Sequence, residues 1–480
     1  MTENTTQKMS LDWLPYSPME VVLGHDIDML DLFSLVKNDN DACYLLESAS
    51  HPRHQDRFHV IGFAPAMQLQ ARGDTLRVSG DADIIAKCTG GSGDEFTLSG
   101  INPYDYMSEN FTLDRGGRSH QGGLIGFFCH EAMNYFEPGI GLQEHPAFEP
   151  FRLGLYLDGL ILDTVSQSLS YYSYHTDRSD YVRALLAKLA KGLPPAEKVR
   201  TTYLGDSETE DSFIAKVADT QQKICEGYSF QAEVGMKSYF EVTGDKFEIY
   251  RHLRKVNPSP YMFFVKFGQQ ELFGASPEIL ISSKNGRILT TPTAGTIGRG
   301  KDPVEDAQLA RQLLADPKEI AEHNMLVDLH RNDVSIVSVP GTVVVDDLMY
   351  LIKFSHVQHI VSNVVGIKQP DKTAFDVLRC ILPGGVVTGA PKIETVKIID
   401  KNEAQPRGPY GGAVGRFSFN GDCDFCLPIR SLFCDGDNCF AQTSAGVVYD
   451  SKPAREYQEL QRKLDAMRTT LATFAEPEHV

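Results

Sequence analysis

The residues best placed for chemistry are four glutamates in two E-x-x-E pairs, Glu319 with Glu322 and Glu456 with Glu459. Three-residue spacing puts both carboxylates of a pair on one face of a helix. Asp316-Pro317 precedes the first pair and Lys452-Pro453 the second, and proline suits a first helical turn, where its missing N–H costs nothing. Asp316 can cap its helix, and Glu319 can reach back to it as in a capping box. Four carboxylates from two helices can supply oxygens to a hard divalent cation, some in contact and some behind. Solvated helices use the same spacing for ion pairs, as Glu459 can with Lys463 one turn on, so spacing alone does not choose.

Isolated groups join them. His359 lies in the apolar run FSHVQHIVSNVVG, where an imidazole is either a general acid or base or a hydrogen-bonded core residue. Arg430 interrupts the strand-like LPIRSLF. If buried it needs an acceptor, and a substrate carboxylate would provide one; an exposed strand face is the plainer alternative. The glycine-containing runs TPTAGTIGRG, PGGVVTGAPK, RGPYGGAVG and QTSAGVVYD let backbone N–H groups approach an oxyanion, though each also serves as a tight turn. No P-loop and no GxGxxG between strand and helix occurs, which disfavours nucleotide binding. Cys423, Cys426, Cys434 and Cys439 have intervals that zinc accepts, but the residues around them alternate as strands about the turn DGDN, as half-buried thiols on a hairpin would.

The elements that must position these groups divide the chain. Residues 9–191 carry short apolar runs broken by Gly, Asp and Asn, closed by a helix over SDYVRALLAKLAKGL with Gly192 at its C-terminus. Residues 192–210 are polar and Pro-containing and read as a linker. Residues 211–472 open with a helix, DSFIAKVADTQQKICEG, then alternate strands with longer helices. The mixture predicts an α+β fold with large, mainly antiparallel sheets and helices outside.

Bulk properties exclude several classes. A chain of 480 residues with 42% hydrophobic content is globular and too long for one ordinary core. A net charge of −18 opposes sequence-independent nucleic-acid binding, and an anionic substrate would need positive charge gathered locally. No apolar run is long enough to cross a bilayer, no secretory signal is visible, and nine scattered cysteines fit reduced thiols in the cytoplasm.

Taken in order, NPSPYM, GASPEIL, PTAGT, KEIAEHNMLVDLHRND, FSHVQHIVSNVVG, TGAPK, GPYGGAVG, IR, SAGVVYDS and EYQE resemble the chorismate-utilising enzyme family throughout residues 227–463. LLES, RFHVIGFAP and GGLIGFFCHEA extend the likeness more loosely into the first half. The resemblance implies a sandwich of sheets with interleaved N- and C-terminal halves. It implies Mg²⁺ bound by Glu322 and Glu459 with Glu319 and Glu456 in support, His359, rather than His356, as the catalytic histidine, and Thr296 as a second catalytic residue. Gly295, Thr296, Tyr410, Arg430, Ser444, Ala445 and Gly446 resemble the groups that hold the chorismate carboxylates and ring, with Lys463 close by.

Two positions speak to the branch. Where water-activating relatives carry Lys, this chain has Gln231, which is no base at neutral pH. Where relatives that add a lysine to the ring have PIKGT, it has PTAGT, and Ala294 is no nucleophile. Both are similar to the anthranilate synthase branch, an oxo-acid-lyase type that aminates chorismate with ammonia and then expels pyruvate. The resemblance further implies a separate glutamine amidotransferase subunit in a hetero-oligomer, and L-tryptophan as inhibitor at Glu47, Ser48, Pro260, Tyr261 and Met262, the first half forming the tryptophan side. Val386, Glu233, Gly235 and Ser444 depart from the family pattern. These departures keep open an aminodeoxychorismate or aminodeoxyisochorismate synthase, and a non-catalytic tryptophan-sensing subunit stands as the alternative from another class.

Overall fold

The computed structural model describes residues 9–49, 57–111, 113–354 and 357–475; His356 lies outside them. Among the described residues two antiparallel sheets of twelve strands each form the frame. In the first, Ala42–Glu47 sits between Phe58–Phe63 and Tyr261–Phe267, and the order continues through Gln270–Ser276, Ser431–Asp435, Asn438–Val447 and Gln231–Thr243. In the second, Gly123–Phe128 pairs with Ala413–Ser418, and Thr293–Gly298 pairs with Val357–Ile367 near one edge. Each sheet therefore interleaves early and late strands: the register sets Glu47 opposite Met262, and Phe128 opposite Ala413.

Alternation along the strands explains the layers, since successive side chains point to opposite faces. One continuous core fills the space between the sheets, joining Tyr44, Val60, Phe263 and Val265 of the first to Leu69, Phe127, Leu153 and Phe425 of the second. The outer face of the first sheet is closed by the helices Met29–Asp39, Ser179–Leu189 and Phe247–Val256, whose Phe33, Val182 and Tyr250 are buried there. Each fully buried side chain of this size contributes about 1.5–3 kcal/mol, so the sandwich is stabilised from both faces of one sheet. No helix of the described residues is long and apolar enough to cross a membrane.

Two local expectations change. Residues 200–206, inside the span read as a linker, form the strand Arg200–Asp206, paired in antiparallel register with Gln231–Thr243. Its polar, exposed side chains hid it from pattern reading: it lies at a sheet edge, and the backbone ladder rather than apolar burial holds it. Arg430 is not within a strand. It sits at φ 52° just before Ser431–Asp435, a left-handed kink that costs a residue with a Cβ about 1–2 kcal/mol.

Candidate active site

The helix Pro317–Ser335 starts where the sequence places it, with Asp316 accepting from the N–H groups of Lys318 (2.9 Å) and Glu319 (3.4 Å). Only this forward half of the cap is present. Glu319 instead turns toward the strand Thr293–Gly298, where a Cβ added to Gly295 would stand 3.2 Å from its Oε2. Leu326, Val327, His330 and Val334 bury one face of the helix while Asn324, Asp328 and Arg331 stay exposed, the stripe expected of a helix laid on a sheet. His323 and His330 serve as anchors, bonded to Ser362 Oγ (2.7 Å) and Thr290 Oγ1 (2.8 Å). The lysine of TGAPK does likewise: Lys392 Nζ donates to Asp333 (2.8 Å) and to the Ile381 carbonyl (2.7 Å), tying three helices together.

Gly295 lies at φ 76° in a bulge between Ala294 and Thr296, and beyond it Thr296 pairs with His359 in register. Thr296 Oγ1 is 2.9 Å from His359 Nδ1, and Arg430 Nη2 is 3.1 Å from His359 Nε2. A guanidinium only donates, so Nε2 is the acceptor and the ring proton sits on Nδ1, facing Thr296. Burial, reinforced by the charges of Arg430 and Lys463, pushes the imidazole down to about 3. His359 is therefore neutral at physiological pH. Glu278, unremarked in the sequence, is buried near Arg430, and burial pushes its carboxyl well up, partly offset by that cation. An ionisable residue in the apolar GASPEIL was the signal for it.

On the neighbouring sheet, Gln231–Thr243 and Asn438–Val447 set Glu233 opposite Gly446 and Gly235 opposite Ser444. Gln231, Glu233, Ser444 and Gly446 share one face, and a Cβ on Gly446 would meet both Gln231 Nε2 and Glu233 Oε1 at 2.7 Å. Ala445 faces the other way, buried with Val234, Phe213 and Leu460 under the helices Glu210–Cys225 and Pro453–Ala472; it can offer the site backbone only. Tyr410 OH is 2.9 Å from Ser444 Oγ. Lys463 reaches round from the C-terminal helix to donate to the Ser444 carbonyl (3.0 Å) while pairing with Glu459 (3.0 Å).

Carboxylates of the two helices come close enough to act on one another electrostatically. Gln231 Nε2 donates to Glu322 Oε1 at 3.1 Å, and Gln231 Oε1 is buried without a partner. Burial and then the charges of Glu322 and Glu459 raise Glu319, while Glu456 is raised chiefly by burial. Glu459 is held down by Lys463 against the upward push of burial. Among the described residues no three His, Cys, Asp or Glu side chains are grouped as a ready metal cage. The donor chemistry nonetheless fits a hard cation: oxygens only, from two helices, repelling one another and steadied by Gln231 and Lys463. The four cysteines are divided, Cys423 and Cys426 in one sheet and Cys434 opposite Cys439 in the other.

A second cavity, of about 50 Å³, is lined by Glu47, Ser48, Pro260, Tyr261 and Met262, with Phe58, Val414, Arg416 and Asp424. Glu47 accepts from Tyr250 OH (2.7 Å) and Arg254 Nε (2.7 Å), and Ser48 Oγ is buried without a partner.

Known proteins resemble this chain over nearly its whole length. Anthranilate synthase component 1 of Leptospira biflexa is 38% identical over 453 residues, covering 94% of this chain and 95% of that protein. Its counterpart from Methanothermobacter thermautotrophicus is 37% identical, covering 91% and 90%. The crystal structure of anthranilate synthase component I from Streptococcus pneumoniae superposes with a TM-score of 0.73 at 30% identity, covering 87% of this chain and 93% of that one. The menaquinone-specific isochorismate synthase of Escherichia coli shares the fold with a TM-score of 0.69 at 16% identity. Residues 41–469 match the family described as chorismate binding enzymes, and on that span, together with the relatives' identity and coverage, the chain belongs to the chorismate binding enzyme family.

Proposed function

We propose that this chain is the chorismate-aminating component of an anthranilate synthase, a lyase that adds ammonia to chorismate and then expels pyruvate to leave anthranilate. The observation that carries the reading is the meeting of two separately anchored cations, Arg430 and Lys463, with the neutral imidazole of His359 and the facing carboxylates of Glu322 and Glu459. A dianion finds its counter-charges there although the chain as a whole is acidic. Gln231 and Ala294 leave their positions without base or nucleophile, which favours ammonia over water or a protein lysine.

Glu322 and Glu459 would hold Mg²⁺, with Glu319 and Glu456 behind them; the ion supplies Lewis acidity toward the ring carboxylate and the departing C4 hydroxyl. The chain's own groups do the rest. Tyr410, the Gly446 backbone and Lys463 orient the carboxylates. Arg430, on taking a substrate carboxylate, releases Nε2 of His359, whose lone pair is then free to take the C2 proton as pyruvate leaves and the ring becomes aromatic. Thr296 keeps the ring proton on Nδ1 so that Nε2 is the basic atom.

Ammonia would come from a separate glutamine amidotransferase subunit in a hetero-oligomer; the relatives' designation as component 1 supports a second component. The Glu47 cavity would take L-tryptophan as feedback inhibitor. Its present volume admits about one or two waters, so that ligand must open it. Nine free thiols support a cytoplasmic setting.

The test is incubation of the purified chain with chorismate, Mg²⁺ and an ammonium salt. Anthranilate fluorescence with equimolar pyruvate, both lost on adding EDTA, is expected; chorismate consumed without pyruvate overturns the reading in favour of an amination-only enzyme.

A further inference from the structure

A buried carboxylate outside the site described above ties together the strand ends that frame His359. The helix Pro303–Leu313 carries Asp306 in its first turn, 5% exposed. Its Oδ1 accepts from Arg299 Nε at 2.7 Å and from the Gly300 N–H at 3.0 Å. Its Oδ2 accepts from Lys353 Nζ at 2.7 Å and from Arg299 Nη2 at 3.2 Å. Gln358 Nε2 stands 3.3 Å from the Asp306 carbonyl and 3.5 Å from Oδ1. The approach needs Gly300, because a Cβ there would stand 2.1 Å from Asp306 N.

These partners come from three strands that meet beside the imidazole. Arg299 and Gly300 follow Thr293–Gly298, and Lys353 ends Val344–Lys353. Gln358 lies at the start of Val357–Ile367, one residue before His359. Register sets His359 between Thr296 on one side and Ile352 on the other. Successive side chains of a strand point to opposite faces, so Gln358, turned to Asp306, holds His359 toward Thr296 and Arg430. A second arm runs through Arg299, whose Nη1 donates to the Phe354 carbonyl at 2.6 Å. The Phe354 ring lies edge-on to His359, 5.6 Å between centroids, and 6.0 Å from the guanidinium carbon of Arg430.

We propose that Asp306 is a positioning residue for His359: through Gln358, and through Arg299 and Phe354, it sets the direction of the imidazole from the opposite face of the strand. This rests on the role given to His359 in the proposed function and deepens it. Asp306 acts only through other residues. An amide in its place has one accepting oxygen and one donating nitrogen, so either Arg299 or Lys353 meets a donor and its arm is released. A base misplaced by about 1 Å loses about 10²-fold in rate.

The experiment follows chorismate consumed and pyruvate released in one reaction with Mg²⁺ and ammonium. It compares Asp306→Asn, Arg299→Lys and His359→Ala, and places each of the first two also on the His359→Ala background. Arg299→Lys keeps the charge but lacks the fork that reaches Asp306 and Phe354 together, and it carries the test if Asp306→Asn does not fold. Both variants should keep the wild-type KM for chorismate, release pyruvate about 10²-fold more slowly and accumulate the aminated, non-aromatic compound. On the His359→Ala background neither should slow pyruvate release further, because residues that act as a unit are not additive; a merely structural loss would add. Wild-type pyruvate release from the folded variants, an equal fall in consumption and release, or a loss that adds to that of His359→Ala overturns the proposal and leaves the chorismate reading in place. A His359→Ala protein that makes anthranilate at the wild-type rate overturns the role of His359 and this inference with it.

Discussion

Arg430 donates to Nε2 of His359 at 3.1 Å, and so fixes the tautomer of an imidazole that feels the charges of both Arg430 and Lys463. The ring should stay neutral with its proton on Nδ1 from pH 8 down to about pH 5, because burial and Arg430 hold it at about 3. Nitrogen-detected NMR of histidine-labelled protein checks this directly. An imidazole signal assigned to His359 that titrates near 6.5, the ordinary histidine value, would contradict it. With His359 held neutral, an acid limb in the rate near pH 6 must come from another group.

His359→Ala should separate the two halves of the reaction. Positioning of the carboxylates by Tyr410 and Lys463 survives, so amination continues, while pyruvate release falls by about 10²–10⁴-fold, the usual worth of a general base. Chromatography of the quenched mixture should show a non-aromatic aminated compound accumulating. Anthranilate formed at the wild-type rate would remove His359 from the mechanism.

Glu322→Gln and Glu459→Gln each remove one anionic oxygen donor while preserving shape. Magnesium activation should shift to concentrations higher by at least about tenfold, since charge count sets affinity for a hard cation. Neither change should unfold the chain, because both side chains are partly exposed at the cleft. Titration of activity against Mg²⁺, alongside circular dichroism, separates the two effects.

Ser48 Oγ is buried without a partner beside Glu47, so Ser48→Ala loses no internal hydrogen bond and should leave stability within about 0.5 kcal/mol. If tryptophan occupies that cavity, the same change should raise the tryptophan concentration for half-inhibition without altering KM for chorismate. Unchanged inhibition would place the regulatory site elsewhere.

Arg407 and Glu403 form a buried ion pair, 2% and 6% exposed, and Arg407 also donates to the carbonyls of Val387 (2.5 Å) and Glu233 (2.6 Å). Arg407→Met takes the cation from a buried carboxylate, leaving Glu403 only the Gly235 N–H and the Gln442 amide as donors, and should destabilise the fold by about 3–5 kcal/mol. Denaturant unfolding measures this; a loss below about 1 kcal/mol would mean that water replaces the guanidinium.

Much of this protein was legible in its residues. The Pro317 and Pro453 helix starts, the E-x-x-E faces and the hairpin around DGDN could be anticipated, because caps, turn residues and periodicity act over a few neighbours; the interleaving of early and late strands was implied only by the family resemblance. Two local readings failed for the same reason in opposite directions. LPIRSLF looks like a continuous strand, yet Arg430 is kinked to φ 52°, where it bonds to His359 from elsewhere in the chain. Residues 200–206 look like a linker, yet a partner strand forty residues on supplies a ladder that no pattern in the segment reveals.

What the sequence by itself determined was the inventory and its order: which residues could bind an anion, a cation or a proton, and the helices and strands that carry them. Tertiary structure alone decided which of them meet. Glu319 abandons its capping box for Gly295, Ala445 turns its side chain into the core, and Glu233 joins Ser444 and Tyr410, 211 and 177 positions further along the chain. Such encounters depend on strand register between distant segments, where a slip of one residue would move Glu233, Ser444 and Ala445 to the opposite face of their sheet.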